Sequence, residues 1–238
     1  MIVFLTSSPS GPLNVPNDGH LLDSQNFFIE ELKKHWKEAM KGLIIASFKE
    51  NHPQNDEMAS FFKDCFENAN LPISFDILDS RKIQLQIQDY DFIMLSGGHV
   101  PTQNAFFHEI QLREQFENYS GIVLGVSAGS MNSADVVYAQ PELEGETLPT
   151  FNRYLKGLNL TKINIIPHYQ MIKDYYLDGL RLFEGISYLD SYQTPLYCLN
   201  DGSYIKIENN HTYIYGEAYL IKDGKKQIIN TKNNRREL

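Results

Sequence analysis

The sequence predicts an α/β protein: a mostly parallel central sheet with helices on both faces, followed by antiparallel strands toward the C-terminal end. Three observations carry that expectation. Short unbroken apolar runs alternate with helix-length amphipathic stretches through the first two thirds of the chain. Strands that are apolar on both faces belong to parallel sheets covered on both sides. From about Val136 the texture changes to short alternating strands separated by turn dipeptides. The chain has 238 residues, 42% of them apolar and 12% aromatic. Against roughly 150 residues per domain, that is enough for one sizeable core, and a single domain over 1–238 is expected.

Taken in order, Ile2–Leu5 is the first strand and Leu43–Phe48 the second. Behind it, Asn55–Asn70 reads as a helix burying Met58, Phe61, Phe62, Cys65, Phe66 and Ala69 at i, i+3, i+4 spacing. Ser74–Leu78 is the third strand, and Ile83–Ile87 falls in a short helix. Phe92–Leu95 is the fourth strand, ending at Gly97-Gly98. Pro101 opens a helix running to about Phe116, and Ile122–Leu124 is the fifth strand. Further on, Ile163–Ile166 reads as a strand and Tyr175–Phe183 as a helix. Tyr197–Leu199, Tyr204–Ile207, Thr212–Tyr215 and Tyr219–Ile221 form a meander expected on the same sheet. Asp201-Gly202, Asn209-Asn210 and Asp223-Gly224 supply its turns.

Composition excludes several functions. With 21 basic and 30 acidic residues the net charge is −9, the opposite of a nucleic-acid footprint. The one basic cluster, Lys232, Arg235 and Arg236, reads as a frayed end. Cys65 and Cys198 are far apart with no CxxC pairing, which argues against a disulfide scaffold or a structural zinc site. His108-Glu109 starts an HExxH pattern, but residue 112 is Leu. The apolar start Met1–Leu5 turns polar at once, the first basic residue is Lys33, and no window approaches 18 apolar residues. Neither an export signal nor a membrane span is expected, and the location is expected to be cytoplasmic.

The sharpest chemical signal is Gly125-Val126-Ser127-Ala128-Gly129, directly after the fifth strand. A G-x-S-x-G at a strand-to-helix turn is a nucleophile elbow, in which a strained serine is lifted clear of the sheet. The Ala128 amide at the following helix start can stabilise negative charge on an attacked carbonyl. Gly97-Gly98, closing the preceding strand, offers amides for the other half of an oxyanion hole. Of seven histidines, His20, His35, His52 and His211 read as solvated, and His99 sits on a loop without an obvious line to Ser127. His168 follows the strand Ile163–Ile166 and Pro167, at a strand exit from which it can reach Ser127. An imidazole base needs an orienting acceptor. Asp201, at another strand exit, and Asp135, just past the elbow helix, both qualify.

With Gly97-Gly98, Gly125–Gly129, Pro167-His168-Tyr169 and Asp201-Gly202 in that order, the chain resembles the dipeptidase E and cyanophycinase family of serine peptidases. Ile44-Ile45-Ala46-Ser47, Asn55-Asp56-Glu57, Tyr215-Gly216 and Ile221–Lys225 are similar too. The resemblance implies a class I glutamine-amidotransferase-like fold with serine in place of cysteine. It implies Ser127 as nucleophile, His168 as base, Gly98 and Ala128 as oxyanion-hole amides, and Asp201 or Asp135 as the acid. It also implies a small peptide substrate and no metal or organic cofactor. Amidotransferases carry His-x-Glu, whereas this chain has His168-Tyr169-Gln170. One departure is His99-Val100-Pro101-Thr102-Gln103-Asn104, where family members commonly follow the glycines with Asn-Thr or Asp-Gln. Dipeptidase E prefers an N-terminal aspartate and cyanophycinase a β-aspartyl-arginine polymer; neither preference is carried over. The rival readings are an α/β-hydrolase-type esterase and a non-catalytic relative that binds a small ligand in the same crevice. No oligomeric state follows from the sequence.

Overall fold

Alternating burial along single strands decides the architecture. In Ile2–Thr6 (β1), Val3 and Leu5 join one apolar cluster and Phe4 joins another, so the strand is buried on both faces. Met40–Ile45 (β2) shares this pattern, and Ile73–Leu78 (β3) is only half-buried. Phe92–Leu95 (β4) and Ile122–Val126 (β5) are again two-faced. The computed structural model describes residues 1–238 and pairs these five strands in parallel, in the order β1–β5–β4–β2–β3. Phe28–Lys33 (α1) and His52–Asn68 (α2) cover one face, bringing Phe28, Leu32, Phe62 and Phe66 against Phe4, Ile44, Phe92 and Leu124. Val100–Glu109 (α3) and Leu112–Phe116 (α4) cover the other with Phe106, Phe107, Leu112 and Phe116. No helix is long and apolar enough to cross a membrane.

The helix expected from Pro101 to Phe116 is two helices. Gln111 takes a left-handed conformation (φ 51°) between them. The break is chemically satisfied, because Gln115 donates its amide to the Ile110 carbonyl at 2.9 Å and accepts the Ile87 N–H at 3.2 Å. The helix expected at Ile83–Ile87 is only a single 3-10 turn at Ile87–Asp89, with Ile83 exposed.

Beyond β5 come Ala128–Asn132 (α5) and the antiparallel pair Val136–Tyr138 (β6) and Tyr154–Lys156 (β7). Asn164–Ile166 (β8) leads into Tyr169–Ile172 (α6). Where a helix was expected at Tyr175–Phe183, a hairpin forms from Tyr176–Leu177 (β9) and Leu180–Arg181 (β10). Asp178 (φ 51°) and Gly179 (φ 80°) turn it, both left-handed as a tight two-residue hairpin requires.

The expected meander does not stay on one sheet. Leu196–Leu199 (β11) pairs with β8, while Tyr204–Glu208 (β12) and His211–Tyr215 (β13) run antiparallel beside β1. Ala218–Lys222 (β14) and Lys225–Asn230 (β15) complete a second sheet ordered β15–β14–β11–β8. Arg235–Glu237 (β16) pairs with β13, making the main sheet eight strands wide; this segment is a strand and not a frayed end. The reason for the split lies in β11. Leu199 joins the cluster holding Val3 and Leu5, whereas Leu196 and Cys198 join one holding Ile166, Tyr169 and Phe183. A strand apolar on both faces has to be covered on both.

Phe66 is fully buried, stacked on Trp36 at 5.3 Å and edge-on to Phe92 at 5.3 Å. Phe66→Ala is expected to cost about 3–5 kcal/mol, lowering the thermal midpoint on the order of 10 °C. Leu189→Ala, at a side chain 64% exposed, is expected to stay within about 0.5 kcal/mol in the same measurement.

Candidate active site

Five strand ends open on one rim. Ser7 follows β1, Gly97-Gly98 follow β4, Ser127 follows β5, His168 comes two residues after β8, and Asp201 two after β11. Ligands of parallel sheets bind beyond such carboxyl ends.

Ser127 sits at φ 50°, ψ −110°, a conformation costly for a residue with a side chain. Its neighbours over-determine it. Its N–H bonds to the Thr6 carbonyl at 3.1 Å, and its own carbonyl accepts the Met131 N–H at 3.1 Å. The Ser130 hydroxyl donates to the Thr6 carbonyl at 2.8 Å, and the Thr6 hydroxyl to the Gly125 carbonyl at 2.7 Å. Gly129 is required by close approach, since a β-carbon there would collide with the Leu95 carbonyl. Gly98 has φ 154°, and a β-carbon on it would collide with Ser47. The Gly98 N–H makes no hydrogen bond within the protein. Ala128 opens α5, where first-turn amides have no intrahelical partner.

The His168 ring bridges two side chains. Nε2 lies 2.9 Å from Ser127 Oγ, and Nδ1 lies 2.6 Å from Asp201 Oδ1. The pattern is met when the serine hydroxyl donates to Nε2 and Nδ1–H donates to the carboxylate. His168 is itself left-handed (φ 56°), fixed by its backbone N–H donating to Ser7 Oγ at 2.7 Å. Asp201 is almost wholly buried, with a side chain 1% exposed. Burial alone would raise its pKa, but bonds from His168, Ser7 and Gln170 outweigh that and hold it below the ordinary carboxylate value. Ser7 donates to Oδ1 at 2.7 Å and Gln170 Nε2 to Oδ2 at 2.6 Å, while Gln170 Oε1 accepts the Asp201 N–H at 3.0 Å.

Asp135, the other candidate acid, lies away from this cluster. Its carboxylate accepts from Arg113 at 2.7 Å and Lys162 at 2.5 Å, and those bonds hold its pKa down. It makes no contact with the His168 ring, whose Nδ1 is taken by Asp201. His99 bonds Thr102 and Glu146, both at 2.8 Å. Gln103 and Asn104, in the loop and helix that depart from the family pattern, turn inward to Asn132 at 3.0 Å each and do not line the cavity at Ser127. His35 is not freely solvated: β12 places the buried Lys206 ammonium 3.1 Å from its Nε2, and burial together with that charge lowers its pKa.

A cavity of about 270 Å³ opens at Ser127, Gly98 and His168. Its rim carries Glu142, an exposed residue whose carboxyl is nonetheless pushed up to about 7 by surrounding protein and by Glu146. Sequence reasoning missed Ser7, Gln170 and Glu142. Ser7 had a usable signal, a hydroxyl at the exit of a parallel strand; Glu142 had none.

A serine, an imidazole and a buried carboxylate in hydrogen-bonded sequence at the mouth of a parallel α/β sheet is an arrangement of hydrolytic enzymes. The family model of peptidase family S51 matches residues 43–215, and the chain belongs to that family of peptidases. A crystal structure of a peptidase from an acI-B1 Actinobacterium superposes over 100% of this chain and 96% of its own, with TM-score 0.69 and 14% identity. A protein of Listeria monocytogenes EGD-e assigned as a peptidase E superposes over 96% of this chain and 98% of its own, with TM-score 0.57 and 14% identity. At those identities the likeness is one of fold. No curated protein matches the chain.

Because the folded Asp201 pKa is depressed, its stabilising contribution is complete above the unfolded value of about 3.9 and is lost as pH falls through the folded one. Ser7→Ala and Gln170→Ala each remove a donor from that carboxylate. Each is expected to cost about 1–3 kcal/mol in urea unfolding at pH 7, with the deficit narrowing as pH falls below about 3.9. A deficit independent of pH would mean that neither bond favours the ionised form.

Proposed function

We propose that this peptidase is a serine hydrolase that cleaves small peptides through Ser127, His168 and Asp201 by way of an acyl-enzyme. The observation that carries the reading is the continuous hydrogen-bonded line from Ser127 Oγ through the His168 ring to Asp201 Oδ1. In the first step Ser127 Oγ attacks the carbonyl carbon and its proton passes to His168 Nε2. The Gly98 and Ala128 N–H groups receive the developing oxyanion. As the C–N bond breaks, His168 returns the proton to the departing amine and leaves an ester on Ser127. Water then attacks that ester, giving a proton to His168; collapse frees the carboxylic acid and restores the serine hydroxyl. Asp201 remains ionised throughout, orienting the ring and balancing the imidazolium charge. A cavity of about 270 Å³ suits a short peptide, as small-ligand sites begin at roughly this size.

A fluorophosphonate probe with mass mapping tests this directly. The expected result is a single adduct on Ser127, absent in Ser127→Ala and strongly reduced in His168→Ala. Asp201→Asn is expected to lower peptide turnover about 10⁴-fold, whereas Asp135→Asn is expected to leave it within a few-fold, as its partners are Arg113 and Lys162. An unlabelled, folded protein whose cavity admits the probe would overturn the proposal.

A further inference from the structure

The cavity in front of Ser127 carries chemistry that the bond-breaking steps do not use. Its apolar walls are Met131, Pro141, Ile172, Tyr175, Leu177 and Leu182, and Gln140, whose amide donates to the Ser187 hydroxyl, also lines it. No lysine or arginine lines it, and the cations nearby in sequence are already engaged. Arg153 bonds both oxygens of Asp190 at 3.1 Å and the Thr147 carbonyl at 3.2 Å. Arg181 pairs with Glu184 at 3.1 Å and Asp174 at 3.6 Å, and Lys226 donates to the Tyr169 hydroxyl at 2.9 Å. Glu142 is the one carboxyl in the lining. At a pKa pushed up to about 7 it is part neutral and part anionic near neutral pH.

The walls are also held in place. Asp178, at the tip of the β9–β10 hairpin, accepts from the Gly145 N–H at 2.9 Å and the Thr147 hydroxyl at 2.7 Å. Glu146 accepts the N–H groups of Glu142 and Leu143 at 2.8 and 3.0 Å while pairing with His99. Hairpin, rim loop and the loop after Gly98 are therefore tied together around one apolar space. Tyr175 reaches from this lining to the surface, and its sequence neighbours Met171, Tyr176 and Leu180 are exposed as well.

We propose that this cavity receives an apolar side chain of leucine, methionine or phenylalanine size on the acyl-donor residue of a short peptide, and disfavours an acidic one. The proposal rests on the serine-hydrolase reading above. An apolar side chain leaves water for a surface that matches it. An acidic side chain would lose its hydration with no cation to replace it and would face Glu142.

The test is a series of dipeptides Leu-Ala, Met-Ala, Phe-Ala, Asp-Ala, Glu-Ala and Lys-Ala, read as kcat/KM. The first three are expected to exceed the acidic pair by about 10- to 100-fold. Preference for Asp, Glu or Lys, or rates all within about threefold of each other, would overturn the inference. Tyr175 is 59% exposed, so Tyr175→Arg should fold, and it is expected to narrow the apolar-to-acidic ratio about tenfold by supplying the missing cation. Calorimetric binding of Leu-Ala and Asp-Ala to Ser127→Ala examines the cavity without the chemistry. Leu-Ala bound more tightly, beside a wild-type Ser127 that no probe labels, would sink the hydrolase reading and leave the apolar preference standing. Asp-Ala bound more tightly, or neither bound, would sink the preference itself.

Discussion

The Ser7 hydroxyl receives one hydrogen bond and gives another, and the two sheets meet in the right geometry because of it. It accepts the His168 N–H and donates to Asp201, each at 2.7 Å, so the residue after β1 holds the residues that follow β8 and β11. Its own N–H bonds the Ser203 carbonyl at 3.2 Å, just before β12. Apolar packing of Ile165, Leu199 and Ala218 with Leu5 and Ile205 resists separation of the sheets. Such packing is non-directional and tolerates sliding. Hydrogen bonds are directional, and a fully buried serine with both lone pair and proton committed fixes distance and angle together. The strained backbones of Ser127 and His168 survive because the same few groups, Thr6 and Ser7, over-determine them.

The position two residues after His168 is occupied by Gln170, and the structure gives the reason that a neutral amide suits it. Gln170 meets Asp201 with a donor to Oδ2 and an acceptor for its N–H. A glutamate there could accept but not donate, and would set one buried carboxylate against another. The carboxylate that faces the His168 ring follows β11, and Gln170 clasps it.

Much of this was legible because it is local. The parallel strands announced themselves as apolar runs, and the turn at Gly125–Gly129 as small residues between a strand and a helix start. The choice between Asp201 and Asp135 was not local: it depends on β8 and β11 being neighbours, which no spacing along the chain states. The split of the C-terminal strands between two sheets was hidden for the same reason. The β9–β10 hairpin was misread for a different cause. Tyr176, Leu180 and Phe183 fall at i, i+4 and i+7 and imitate a helical face, while Asp178-Gly179 signals a tight turn, and the turn won. The cavity walls come from four separate stretches, so only the fold assembles them.

The strand Arg235–Glu237 closes one flank of the eight-stranded sheet with three charged residues in a row. An open sheet ends in unpaired amides and carbonyls, which recruit strands from other molecules unless the border is short, charged or covered. Here it is short and charged, and Arg236 also spends its guanidinium on the Ile229 carbonyl at 2.9 Å, while Arg235 lies 4.8 Å over the Tyr213 ring. Lys225 and Lys226 mark the border of the smaller sheet in the same way. The basic residues that first suggested a loose end thus act as fencing. They make these two borders poor templates for a strand from another molecule.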